Sequence, residues 1–146
     1  MSIKMSTGLA NAILDTGSVK STLTDGLIHI YEGTVPDSAD DSVEGHTLLC
    51  TVSDDGTGTG LAFETQATDG VLLKLSSQSW AGTNLATGTA SFFRFVAPGD
   101  TGVSSTTEKR IQGRIAVVGS DMQLASTSLV ETETQVIDNF AIAVPV

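Results

Sequence analysis

Cationic side chains are the scarcest charged groups in this sequence. Seven Lys and Arg stand against seventeen Asp and Glu, a formal net charge of −10. So few cations cannot neutralise a run of phosphates, and direct nucleic-acid binding is not expected. The same imbalance favours solubility and repels anionic surfaces. Cys50 is the only cysteine, so no intrachain disulfide can form, which fits a reducing compartment. Long apolar runs are missing too. The longest, such as "IAVV" and "VLL", fall far short of the roughly 20 residues that span a bilayer, and "MSIKMSTGLANAILD" lacks the apolar centre of a secretion signal. A soluble chain with no membrane contact is expected. Histidine is limited to His29 and His46, which leaves little material for a catalytic triad, and no Gly-x-Ser-x-Gly elbow occurs.

What the chain does have is Ser, Thr and fifteen glycines spaced between short apolar stretches. Only "STGLANAILDTG" shows a helical period: Leu9, Ala12 and Ile13 fall at i, i+3 and i+4, with Ser6 or Thr7 to start the helix and Gly17 to end it. A helix this short is marginal alone, so its apolar face must dock on its own domain or on a neighbour. From about residue 25 the period becomes two. "DGLIHIYEG", "HTLLCTVS", "LAFET", "VLLKL", "SFFRFVA", "KRIQGRIAVVG", "DMQLA" and "QVIDNFAIAVP" read as about eight strands parted by Gly, Asp and Asn turns. The expected fold is all-β: an antiparallel β-sandwich, jelly-roll-like, with one short N-terminal helix near residues 6–16. All 146 residues form one domain. The longest irregular stretch, "GTVPDSADDSVEGH", is expected to cross the sandwich surface as an exposed loop.

Several stretches invite a chemical reading. "ILDTGSV" around Asp15 resembles the active-site turn of aspartic proteases, and "GDTG" recurs at residues 99–102. That chemistry needs two carboxylates sharing one proton. Here Asp15 follows a helical stretch instead of a strand, and turn chemistry accounts for both copies. "GTGTG" at 56–60 precedes a strand and follows two aspartates, so it reads as a hairpin tip and not as a phosphate loop. His29, His46 and Cys50 match no zinc spacing, and Asp37 to Glu44 lacks the frame of a calcium loop. Neither a catalytic site, a metal nor a cofactor is expected.

Two features point to packing or contact. Trp80, the only tryptophan, reads either as a rim anchor in an interface or as a lid on the core. With Met5, Leu9 and Ile13 it forms the candidate interface set. Arg94 stands inside the most aromatic strand, "SFFRFVA", on the face of Phe92 and Val96 and opposite Phe93 and Phe95. An unpaired guanidinium buried there would cost several kcal/mol. A structural charge pair is therefore expected, with Asp138 as leading partner; the alternative is an arginine that snorkels to solvent.

The stretches "GLANAILD", "DGLIHIYEGTVPDSAD", "GTASFFRFVAPGD", "RIQGRIAVVGSDMQL" and "IDNFAIAVPV", in that order, resemble small virion proteins of tailed bacteriophages. The resemblance covers most of the chain and its motifs are structural. It implies a jelly-roll decoration or cement protein on the capsid exterior, whose partner is the major capsid protein lattice. It also implies assembly in the host cytoplasm and no enzymatic activity. Symmetric shells favour a dimer or trimer at their axes. A head–tail or tail component is the alternative in the same class. A small homodimeric aspartic protease using Asp15 is the alternative from another class, and a carbohydrate-binding jelly roll rests on fold analogy alone.

Overall fold

The change of period near residue 25 marks a real boundary between helices and sheet. The computed structural model describes residues 3–146. Its elements, in chain order, are β1 (Lys4–Met5), α1 (Thr7–Asp15), α2 (Val19–Leu23), β2 (Leu27–Glu32), β3 (Thr47–Asp54), β4 (Val71–Leu73) and β5 (Trp80–Thr83). They continue with β6 (Gly88–Thr89), β7 (Phe92–Val96), β8 (Arg110–Ala116), β9 (Met122–Gln123), β10 (Ser128–Leu129), β11 (Thr134–Ile137) and β12 (Ala141–Ala143).

The main sheet runs β1-β8-β7-β2-β3-β5-β11. All its steps are antiparallel, while β9 joins β8 in parallel at Ile115 and Ala116. One edge of β8 faces β7; the other is shared by β1 and β9. Two ribbons, β4–β12 and β6–β10, complete an all-β, sandwich-like fold.

Strand alternation decides what fills the interior. Ile28, Ile30, Phe93, Phe95, Ile111 and Ile115 project from the central strands into one core, which Leu61, Phe63, Leu72, Phe140 and Ile142 close from the other layer. Trp80 is central to it, with ring centroids 5.9 Å from Phe63, 5.8 Å from Phe95 and 5.5 Å from Phe140. Its indole N–H donates to Gln78 Oε1 at 3.0 Å, so the buried ring leaves no unmet donor.

Two expectations about elements need correction. The N-terminal region holds two helices, not one. α1 starts at the Ser6 cap as its sequence requires, but α2 follows at once, begun by a reciprocal Ser18–Ser21 capping box. With only Val19 and Leu23 apolar, α2 is too short to show a period. "LAFET" is not a strand either: it contributes only an isolated bridge, Phe63 to Lys74. α1 packs so closely that a Cβ on Gly8 would lie 2.3 Å from the Thr107 carbonyl oxygen. Glycine is required there for approach.

Candidate functional site

The outer face of β7 answers the question that Arg94 poses. β7 pairs with β2 and β8 so that Arg94 lies beside His29 on one side and Gln112 on the other, while Val96 lies beside Arg110. Alternation therefore sends Arg94, Arg110 and Gln112 to the same face, away from the aromatic core. All three are buried nonetheless, at 1%, 0% and 1% exposure. They are covered by residues 34–46 and 98–108. The stretch expected as an exposed surface loop is in fact a half-buried strap, with Ala39 fully enclosed.

A strap without strand partners leaves its carbonyl groups short of donors, and side chains supply them. His46 Nε2 lies 2.7 Å from the Thr34 carbonyl oxygen. Gln112 Nε2 donates to the Pro36 carbonyl at 2.8 Å, Lys4 Nζ to Asp37 at 2.6 Å, Arg94 Nη2 to Ser38 at 3.2 Å and Arg110 Nη1 to Ala39 at 3.0 Å. Four consecutive peptide carbonyls, 36 to 39, are thus each held by a different side chain. Asp40 adds the reverse contact, accepting from the Thr7 backbone N–H at 2.8 Å and hydroxyl at 2.5 Å.

Arg110 is the strongest anchor. Its Nε and Nη2 form a fork on Asp100, at 2.5 and 2.9 Å, and Nη2 also donates to Val103 at 2.6 Å. Both side chains of this ion pair are fully buried. Burial pushes the Asp100 carboxyl up, yet the hydrogen bonds from Arg110 and the Gly102 N–H together hold it below the usual carboxylate range. Arg94 is less well served. Its Nε donates to Gln112 Oε1 at 2.9 Å, and Nη1 has no partner among the described residues. Burial first, and the neighbouring Arg110 second, push Arg94 down to about 10.

The expected Arg94–Asp138 pair does not form. Asp138 is exposed beyond the end of β11, on a different part of the fold. The partners that alternation alone missed are Gln112 and, through the strap, Ser38. The signal was present in β8, where Arg110 and Gln112 alternate against Ile111 just as Arg94 does against Phe93 and Phe95.

The candidate interface set is also redistributed. Leu9 and Trp80 are fully buried in the protein's own core, so neither can touch another molecule in this fold. Ile13 packs against that core, and only Met5 is exposed, at 37%. Trp80 is therefore a core residue, and the apolar face of α1 docks on its own domain.

The aspartates of the two Asp-Thr-Gly copies stand in different settings. Asp15 is exposed at the last turn of α1, while the aspartate of the second Asp-Thr-Gly, Asp100, is committed to Arg110. The Gly-rich tip at 56–60 is a turn in which Asp55, Gly56 and Gly58 take positive φ. Among the described residues no three potential metal ligands gather. Burial pushes the Cys50 thiol up to about 11, which keeps it protonated and unreactive at neutral pH. His29 is lowered by burial, an effect that Asp100 partly opposes.

Among the hollows that indent the surface of the described residues, three are well formed. One, of about 220 Å³, is bounded by His29, Pro98 and Asp100 beside the strap. A second, of about 280 Å³, has Lys4, Asp37, Gln112 and Arg114 around it. The third is an open cleft of about 700 Å³ between the 117–125 segment and the β4–β12 ribbon. Among the described residues no helix is long and apolar enough to cross a membrane. No known protein family, curated protein or solved structure matches the chain.

Proposed function

We propose that the protein is a structural component of a tailed-bacteriophage virion, bound to the outside of the capsid as a decoration or cement protein. The observation that carries this reading is where the bacteriophage-like stretches fall. "DGLIHIYEGTVPDSAD", "GTASFFRFVAPGD" and "RIQGRIAVVGSDMQL" supply β2, β7, β8 and β9, half of the strap, and Arg94, Asp100 and Arg110. The resemblance thus coincides with the parts that set the scaffold and lock its outer face. Such a protein needs rigidity and a recognition surface, not reactive groups, and the clamped strap provides rigidity.

Charge supports an exterior position. Two of the seven cations and one of the seventeen acids are taken into the buried cluster, which leaves five against sixteen. Many copies on a symmetric lattice multiply modest contacts through avidity, so no single interface needs to be large. Dimers or trimers at the lattice axes would use that symmetry.

Immunogold labelling of purified particles with an antibody to this chain tests the reading. Label on heads is the expected result. Label confined to tails or the head–tail junction would move the protein to the alternative position. Its absence from purified particles would overturn the virion assignment.

A further inference from the structure

The cleft of about 700 Å³ is as large as many ligand sites. Its charge is one-sided. Glu64, Asp121 and Asp138 line it against a single cation, Lys74. That lysine is already committed: Nζ donates to the Gln78 carbonyl at 2.8 Å and lies 5.8 Å from the centroid of the Trp80 ring. Glu64 and Asp121 each accept one backbone N–H, from Ser76 and Arg114, both within the protein. Asp138 accepts none among the described residues. Three carboxylates therefore line one cleft, with Lys74 engaged on its wall and Lys20 engaged on the Thr65 carbonyl next to Glu64.

Apolar surface accompanies the charge. Leu73 and Val117, both 51% exposed, line the cleft, and Val118 beside it is 74% exposed. Two bordering strands, β9 and β12, are each paired on one side only. An extended chain can add to such a strand by backbone hydrogen bonds.

We propose that this cleft docks an extended segment of another protein in which cationic side chains alternate with apolar ones. Arginine or lysine would meet the three carboxylates, and the apolar residues would cover Leu73 and Val117. A nucleic acid is excluded as occupant because the carboxylates repel phosphate. A second copy fits poorly. Its two free cations closest in sequence, Lys109 and Arg114, belong to or flank β8, whose edges are already taken by β7, β1 and β9. The inference stands independently of the virion reading and does not require it.

The test uses the full chain and a fluorescein-labelled ten-residue peptide of alternating valine and arginine, followed by fluorescence anisotropy. Peptides of alternating valine and glutamate, and of glycine and arginine, are the comparators. The valine–arginine peptide is expected to bind. The glutamate peptide should not bind, and the glycine–arginine peptide should bind at least several-fold more weakly. Combining Glu64→Gln, Asp121→Asn and Asp138→Asn should weaken binding by about tenfold, the sum of three modest surface pairs. Removing three acids outside the cleft, by Glu44→Gln, Asp55→Asn and Glu133→Gln, should change it by less than about twofold, since screening limits distant charges. If the cleft triple variant fails to fold, Leu73→Ser replaces it, with the same direction of loss expected. Amide NMR shifts on peptide addition should cluster at Leu73, Val117, Gln123 and Ala141. Equal losses in the two triple variants, equal binding of both arginine peptides, no binding, or shifts confined elsewhere would each overturn the proposal.

Discussion

Strand β7 buries both of its faces, and it does so by opposite means. Phe93 and Phe95 enter a core of stacked and edge-on rings, where the Trp80 indole N–H on Gln78 is the one polar group of the ring cluster. Phe92, Arg94 and Val96 are covered by a strap that must be tied down bond by bond. The inner face is insensitive to partner geometry, because the hydrophobic effect has no direction. The outer face depends on it, because each buried donor or acceptor left alone costs about 1–3 kcal/mol. A sheet can therefore have two buried sides without having two cores.

The contrast can be broken from either side. The largest loss is expected from Phe95→Ala, which opens a cavity among Phe63, Trp80 and Phe140 and should cost about 3–5 kcal/mol in urea unfolding. That loss should be global, with no segment becoming cleavable ahead of the rest. Arg110→Met should cost about 3 kcal/mol, since it leaves the Asp100 carboxylate buried and unpaired. Here limited proteolysis should cut within residues 34–46 under native conditions, before global unfolding. A uniform loss without strap cleavage would erase the distinction between the faces.

A smaller effect, about 1–2 kcal/mol, is expected for Arg94→Met, because it orphans Gln112 Oε1 while relieving an underserved guanidinium. Replacing both residues, as Arg94→Met with Gln112→Leu, should cost less than the sum of the single changes. A double-mutant cycle of Arg94→Met with Asp138→Asn should give a coupling within error of zero.

The smallest effect is the pH dependence that His29 and Asp100 give the outer face. His29 is lowered in the folded state, so below its usual value of 6.5 the unfolded chain takes up the proton first and stability falls as pH falls. Asp100 is also lowered, so its contribution is present above 3.8 and is lost as pH drops further. Urea midpoints measured from pH 7 to pH 3 should decline in two stages. His29→Gln should flatten the upper stage and leave the lower one.

Alternation in the sequence already sorted the residues of β7 and β8 into faces, and that sorting holds at every buried position from Phe92 to Val96. Alternation carries no information about what lies over a face. A charged residue on a strand looks the same whether solvent or a strap covers it, which is why Asp138 was an equally reasonable partner for Arg94. The strap's own residues, small and acidic, resemble those of a solvated loop. Apart from the Asp40 carboxylate, the anchors grip their backbone carbonyls, and carbonyls are invisible to composition. Trp80 was ambiguous for the converse reason: its polar sequence neighbours hide that strands β3 and β11 flank it. The cleft was illegible altogether, since Glu64, Asp121 and Asp138 are separated in sequence and come to line one cleft only through the fold.

Ser6 imposes an order of events on synthesis. Its hydroxyl oxygen accepts the Leu9 N–H at the start of α1, donates to the Glu108 carbonyl at 2.7 Å and accepts the Arg110 N–H at 2.9 Å. One atom thus closes a loop of more than a hundred residues. On a ribosome adding about 5–20 residues per second, α1 emerges many seconds before its anchor. Until β8 arrives, α1 is a short, half-capped segment with its apolar face uncovered, and its permanence is decided by residues translated more than a hundred positions later.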